Sequence, residues 1–394
     1  MAKQYIARDL GKIILRSASE FPVVALTGPR QTGKSTLLKR TFPSFKHISF
    51  DDALQRQLAA KDPRLFIGSL KPPVILDEMQ YVPEILPCIK QEVDQNRDKN
   101  GQYILTGSQI FNVMSGLSET LSGRVALFEL LGFSLPEMSK IEAIKRSPDK
   151  CFEMLFGGFY PEVAAHKADI NSFYGSYIHT YLERDIRQIR SVHDIRLFQQ
   201  FLELIAARAG GLLNLSEISK ECGISHTTAQ NWLTLLESTR IVYLLRPYHK
   251  NTTKRVIKSP KIYFTDTGLL AYILRYPDPA TLMSGAASGA IFENFMVIEA
   301  LKNKFNTNSR YELYFYRDSN HNEVDLILDS GHMKKLFEFK TAKTLRPDHW
   351  AFLSKGKTVF DKSDAFLVSL SEEKTTLEKG IHSIPWWDFP SQLN

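Results

Sequence analysis

Residues 21–36 read Phe21-Pro-Val-Val-Ala-Leu-Thr-Gly28-Pro-Arg-Gln-Thr-Gly33-Lys34-Ser35-Thr36. The run Phe21–Leu26 is short, apolar and β-branched, as a strand buried on both faces should be, and the residues from Thr36 onward read as a helix start. Between strand and helix stands G-x-x-x-x-G-K-S. Gly28 and Gly33 let backbone N–H groups curl around phosphates, and the helix N-terminus adds partial positive charge. In such a loop Gly28, Pro29, Arg30, Gln31, Thr32, Gly33, Lys34, Ser35 and Thr36 line the nucleotide. Lys34 reaches the β/γ-phosphates and the Ser35 hydroxyl holds Mg²⁺. The expected fold class is α/β, built on a P-loop parallel sheet.

Two further apolar runs belong to the same site. Pro73-Val-Ile-Leu76 reads as a strand ending in Asp77-Glu78, which is what the metal side of such a site needs: Asp77 for Mg²⁺ and Glu78 to polarise the attacking water. Gln102-Tyr-Ile-Leu105 runs into Thr106-Gly-Ser108-Gln109, where Ser108 or Gln109 reads the γ-phosphate or positions water. Arg124 is the one Arg or Lys between Gly101 and Met138. It reads either as an arginine finger, within the subunit or across an oligomer interface, or as an ordinary surface arginine.

At 394 residues the chain exceeds one compact core, so two or three domains are expected. With 43% hydrophobic and 24% charged residues it is neither disordered nor of low complexity. No stretch approaches a membrane span, and the N-terminal MAKQYIARDLGKIILRSASEF is an amphipathic helix without a signal-peptide core. A cytoplasmic protein with no membrane contact is expected. Cys88, Cys151 and Cys222 are three and widely spaced, reading as buried thiols in a reducing compartment. The net charge of +7 is spread thinly. The exception is Ser238–Thr265, which holds no acid but seven cations: Arg240, Arg246, Lys250, Lys254, Arg255, Lys258 and Lys261.

Residues 141–195 alternate charged and aromatic positions at helical spacing and look like a helical lid, with a helix over Tyr177–Ile186. Tyr160 and Pro161 border the adenine ring in one reading and form an interhelical turn in the other. Farther on, Leu215–Cys222 and His226–Ser238 read as two helices joined by Gly223-Ile-Ser225. Leu215, Ile218, Cys222, Ile224, Ala229, Trp232, Leu233 and Leu236 would share their interior, a helix-turn-helix pattern. The outer face offers His226, Thr227, Gln230, Asn231 and Thr234 to bases or phosphates. The basic window follows where a winged helix has its wing, so Arg246, Lys250, Lys254 and Arg255 are candidate phosphate contacts. DNA is one expected partner; winged helices also serve as protein-contact modules.

In the C-terminal third, Glu323–Leu328 and Lys335–Lys340 read as strands. If Ser330-Gly-His-Met333 is a hairpin loop, Asp329 pairs with Lys334 and Asp325 faces Glu338. Alternation puts Glu338 and Lys340 on one face and Phe337 and Phe339 on the other. Two facing carboxylates beside a lysine are costly unless a cation sits between them. Asp325, Glu338 and Lys340, with Glu293 from a helix, are therefore a candidate Mg²⁺ nuclease site. A solvated strand face, or a nuclease fold without activity, is the alternative.

Together these motifs resemble the AAA-type predicted ATPases that carry a C-terminal DUF4143 region. The residues carrying the match are Gly28–Ser35, Ile75–Glu78, Leu105–Ser108, Gly123-Arg124, Gly158–Glu162, Tyr181–Asp185, Leu213–Ser216 with Gly223–Thr228, Lys258–Lys261, Asp266–Gly268 and Glu323–Leu326. The resemblance implies a P-loop ATPase domain over 1–140, a helical lid over 141–195, a winged helix-turn-helix over 196–262 and a PD-(D/E)XK nuclease-like domain over 263–394. It also implies ATP and Mg²⁺ as ligands.

Overall fold

A computed structural model of the chain describes residues 5–108, 120–182, 195–248, 258–320, 322–360 and 362–393. In the N-terminal part, β1 (Val23–Thr27), β2 (Lys46–Ser49), β3 (Val74–Asp77), β4 (Tyr103–Gly107) and β5 (Val125–Glu129) form one sheet in the order β2-β3-β4-β1-β5. Every pairing in it is parallel. Alternating side chains leave to opposite faces. Val24, Leu26, Ile75 and Ile104 pack with Leu10, Ile14, Leu37 and Leu38, while Val23, Ala25, Val74, Leu76, Tyr103 and Leu105 pack with Ile85, Ile89 and Val93. Burial of each of these Val, Leu or Ile side chains stabilises the layer by about 1.5–3 kcal/mol. Because β4 lies between β1 and β3, the segments that follow all three strands emerge side by side at one edge of the sheet.

A second sheet, in the order β12-β13-β11-β10-β9-β8-β6-β7, occupies the C-terminal part. Its strands are β6 (Val242–Pro247), β7 (Lys261–Phe264), β8 (Glu312–Arg317), β9 (Glu323–Asp329), β10 (Lys334–Lys340), β11 (Ser363–Ser369), β12 (Thr375–Thr376) and β13 (Ile381–Pro385). The β9–β10 pairing has the register read from the hairpin, Asp329 opposite Lys334. Phe337 and Phe339 stack within the core with their centroids 6.5 Å apart.

The two helices of the helix-turn-helix span Leu215–Cys222 and His226–Ser238. Their ends are set by local chemistry. Asn214 accepts from the Glu217 N–H, Gly223 adopts φ 70°, and Ser225 accepts from the Thr228 N–H. Of the eight expected interior residues seven are buried and Ile224 is half-buried.

A single hydrophobic cluster runs from Leu131 to Leu393. Within the segment 141–195, Cys151, Phe152, Leu155, Tyr174 and Tyr177 are buried in that cluster. The helix expected over Tyr177–Ile186 begins earlier, as an α-helix over Ile170–Tyr177 that passes into a π-helix over Ile178–Leu182; residues 183–186 lie outside the described residues. Finally, β6 and β7 form an antiparallel pair, but β6 also pairs with β8, so this ribbon is the end of the large sheet.

Candidate functional site

The backbone around the first motif admits only glycine at its two hinges. Gly28 has φ 140°, and a Cβ there would lie 2.1 Å from the Leu130 carbonyl oxygen; Gly33 has φ 90° at the N-cap of the helix Lys34–Thr41. The Lys34 ammonium donates to the carbonyls of Gly28 and Pro29 at 2.9 and 2.7 Å. Burial brings its pKa down to about 8, with Glu78 and Asp77 opposing that shift. A cavity of about 520 Å³ opens over this loop. Gln31, Thr32, Gly33, Lys34, Ser35, Thr36 and Glu78 line it from the sheet side.

Asp77 stands at the end of β3, 5% exposed. Burial alone would raise its carboxyl, but hydrogen bonds from His47, Thr106 and Ser35 outweigh that and hold it down at about 2. An ionised carboxylate joined to the Ser35 hydroxyl is a donor set suited to a hard divalent cation. Glu78 follows in the left-handed region, φ 60°. Its Oε2 accepts from the Gln80 amide, and Ser108 Oγ lies 3.5 Å away. Gln80 Nε2 also donates to Ser108 Oγ at 3.1 Å. Gln109 lies outside the described residues.

The other wall of the cavity comes from elements that motif reading did not assign. Tyr5, Ile6 and Arg8 precede the first helix, Phe133 follows β5, and Pro161, Glu162, Ala165 and His166 belong to or follow the turn Pro161–Ala164. Pro161 therefore borders the cavity, whereas Tyr160 is 2% exposed and turns into the core, its hydroxyl bonded to that of Tyr177. Arg8 donates to the carbonyls of Thr32, Leu131 and Gly132 and to Glu137. Burial would raise the Glu137 carboxyl, yet the Arg8 guanidinium and the N–H groups of Ser134 and Asp9 hold it below its ordinary value. From there polar contacts continue: the Leu135 N–H donates to Glu299 at 2.7 Å, and Lys302 donates to the Phe133 carbonyl and to Glu299.

Arg124 is not near this cavity. It precedes β5 at the opposite edge of the sheet, its carbonyl accepting from Val23 N–H at the start of β1. Its guanidinium donates to both oxygens of Asp94 at 2.7 and 3.1 Å. The five residues of β1 separate Arg124 from the loop.

At the C-terminal end the structure brings Glu293, Asp325, Glu338 and Lys340 together and adds two residues that the sequence reading left out of the site. Lys261, 3% exposed, donates to Glu293 at 2.8 Å and lies 2.5 Å from Glu323 and 3.8 Å from Asp325. Lys340 donates to Glu338 Oε1 at 2.6 Å, and Asp325 accepts from the Phe339 N–H. Burial raises Glu293 to about 7, with Asp325 adding to the rise and Lys261 opposing it. Burial, Asp325 and Glu293 lift Glu338 well above the carboxylate range. Among the described residues no group of three or more His, Cys, Asp or Glu side chains is disposed to hold a metal ion.

The basic window is not a uniform cationic surface. Arg240 is paired with Glu129 at 2.7 Å, and Lys261 lies inside the carboxylate cluster. Arg246 and Lys258 are exposed; Lys250, Lys254 and Arg255 lie outside the described residues. His226, Thr227, Gln230, Asn231 and Thr234 are exposed along one helix face.

The chain matches the model of an AAA domain over residues 20–139, a domain of unknown function (DUF8612) over 148–280 and a second (DUF4143) over 288–389. Uncharacterised proteins of Mycobacterium tuberculosis and Mycobacterium bovis are each 31% identical to it over 343 residues, covering 86% of this chain and 74% of theirs. It belongs to the AAA-type P-loop ATPase family with a C-terminal DUF4143 region. Among solved structures it is similar to a Walker-type ATPase of Pyrococcus abyssi, at 17% identity and TM-score 0.42, covering 69% of this chain and 96% of that one. It is also similar to the RuvB Holliday junction branch migration motor of Thermotoga maritima, at 15% identity and TM-score 0.33, covering 61% and 90%. No helix among the described residues is long and apolar enough to cross a membrane.

Within this family member, some of the missed residues did leave a signal in the sequence. Strand alternation puts Glu323 on the face of Asp325, two residues on, and Thr106 follows Leu105 as Asp77 follows Leu76, the register partner of Leu105. Arg8, Phe133, Gln80 and Lys261 left none, because their partners are brought to them only by folding.

Proposed function

We propose that the protein is a Mg²⁺-dependent ATPase whose hydrolytic cycle is relayed to its C-terminal half, with DNA as the target. The observation that carries the ATPase reading is the convergence of Lys34, Ser35, Asp77, Glu78 and Ser108 at one edge of the parallel sheet. When bound, Mg²⁺ would neutralise charge on the β/γ-phosphate oxygens, and Ser35 and Asp77 are the residues to hold it. Lys34 leaves the loop carbonyls for phosphate oxygens, a stronger acceptor. Glu78 takes the proton of the attacking water, and Gln80 and Ser108 orient its carboxylate. Arg8 ties the loop carbonyl of Thr32 to Glu137, so a shift of the loop on turnover is felt by the 131–137 segment and the helix Ser288–Thr307 beyond it.

The test is a pair of substitutions. Lys34→Ala abolishes nucleotide binding. Glu78→Gln retains it and lowers turnover by about 100-fold or more. Unchanged hydrolysis in both variants sinks the ATPase reading.

DNA as target is supported by the exposed, uncharged hydrogen-bonding face of the helix His226–Ser238 and by the exposed Arg246 beside it. Labelled-DNA titration at several salt concentrations tests it: Arg246→Ala lowers the salt slope by about one. Absence of salt-sensitive binding favours a nucleotide-switched protein-contact module instead. A metal-dependent DNA nuclease is the alternative reading of the carboxylate cluster, and the position of Lys261 speaks against it.

A further inference from the structure

The carboxylate cluster has the composition of a divalent-cation site and holds a cation of the chain's own. Four acids converge there: Glu293 from the helix Ser288–Thr307, Glu323 and Asp325 from β9 and Glu338 from β10. Extending the printed register by one residue sets Asp325 directly opposite Glu338, on the same face of the sheet. Into this group β7 sends Lys261, whose ammonium contacts Glu293, Glu323 and Asp325 at 2.8, 2.5 and 3.8 Å. That places three carboxylates around one buried positive charge, with the Glu293 and Glu323 side chains 17% and 22% exposed.

A second observation points to a cation independently. Glu338, 5% exposed, directs only Oε1 to Lys340; its Oε2 is buried with no hydrogen-bond donor among the described residues. Leaving a buried polar oxygen without a partner is unfavourable, and the extended register sets its carboxyl group opposite that of Asp325. A hard cation coordinated by oxygens would satisfy it; the Lys261 ammonium, held against Glu293 and Glu323, makes no hydrogen bond to it.

We propose that Lys261 is the resident counter-ion of a latent divalent-cation site formed by Glu293, Glu323, Asp325 and Glu338, and that its ammonium keeps Mg²⁺ and Mn²⁺ out. The proposal rests on this cluster alone and not on the ATPase reading. Charge balance supports the exclusion. A divalent ion added beside Lys261 would meet like charge at contact distance, whereas Lys261 alone, with Lys340 and the Arg317 that pairs with Glu323 at 3.2 Å, already offsets most of the negative charge.

The experiment titrates metal-stripped full-length protein with MnCl₂ in the absence of nucleotide, by calorimetry and by thermal unfolding. Lys261→Met is expected to bind one more Mn²⁺ per chain than wild type, at least about tenfold tighter than any wild-type binding at this cluster, and to gain thermal stability from the metal. The extra site must vanish in Lys261→Met/Asp325→Asn, which separates it from Mn²⁺ held at Ser35 and Asp77. ATP binding reports whether each variant is folded. If Lys261→Met does not fold without metal, Lys261→Met/Glu323→Gln, which removes one negative charge with the positive one, carries the same expectation. Folded variants with no extra Mn²⁺ overturn the proposal. So does wild-type protein that binds Mn²⁺ in a manner abolished by Asp325→Asn, because Lys261 would then exclude nothing.

Discussion

Arg240 and Glu129 provide a quantitative check on how the two halves of the chain are joined. Arg240 ends the helix His226–Ser238 in the left-handed region, φ 56°, and donates through Nε and an Nη to both oxygens of Glu129 at 2.7 and 2.8 Å. The side chains are 19% and 18% exposed, so the pair is neither solvent-screened nor fully desolvated. Breaking a buried pair from one side costs about 3–5 kcal/mol and an exposed one about 0–1 kcal/mol. An intermediate burial places Arg240→Met and Glu129→Gln at about 2 kcal/mol each. The double variant leaves no orphaned charge, so it should cost about 2 kcal/mol rather than the additive 4, an interaction of about 2 kcal/mol. Urea unfolding followed by tryptophan fluorescence measures this, since Trp232, Trp350, Trp386 and Trp387 all lie beyond residue 131. A double variant that costs the full sum would show that the two charges do not sense one another, and the joint would have to lie elsewhere.

Three other perturbations have definite expectations. Gly28→Ala puts a methyl 2.1 Å from the Leu130 carbonyl, so the loop must shift and nucleotide affinity fall by about 100-fold or more in a fluorescent-nucleotide titration; unchanged affinity refutes the steric account. Asp77, held at about 2 against an ordinary 3.8, stabilises the fold above pH 4 and loses that contribution as pH falls through its folded value. The full contribution is about 2 kcal/mol, and the unfolding free-energy gap between wild type and Asp77→Asn should narrow by about 1 kcal/mol at pH 3; a constant gap contradicts it. Arg124→Ala should leave the turnover of a dilute single chain within about twofold, because its guanidinium is held by Asp94 at the far edge of the sheet; a hundredfold loss would place it in the chemistry after all.

The parts legible in the sequence are those whose cause is local. A buried strand, a glycine loop and a helix start lie within sixteen residues of one another, and strand-end acids announce themselves by position. The bounds of Leu215–Cys222 and His226–Ser238 follow from Asn214 and Ser225, each accepting from the N–H three residues on, and from Gly223, which closes the helix before it. The β9–β10 register follows from a four-residue loop. What escaped is long-range pairing. Arg240 looked like a free cation because no acid follows it before Asp266, yet Glu129 reaches it across 111 positions. Lys261 looked like part of a basic wing until the fold placed it 32 positions from its partner Glu293. Arg124 looked isolated, although Asp94 lies one strand away. The shared cluster from Leu131 to Leu393 was illegible for a related reason: apolar periodicity marks elements, and says nothing about which elements share a core.

The helix Ser288–Thr307 carries two sets of fixed points. Glu293 belongs to the carboxylate cluster, while Glu299 and Lys302 are bonded to the Phe133–Leu135 segment beneath the nucleotide cavity. Six residues of helix separate the two glutamates by about 9 Å and one and two-thirds turns. The spacing is therefore a phase as well as a distance. One residue inserted or deleted between them would rotate one set by about 100° relative to the other and disconnect whichever side failed to follow. Asn294, Phe295, Met296, Val297 and Ile298 are all buried between them, so this stretch of the chain has no outer face along which a change of length could be absorbed.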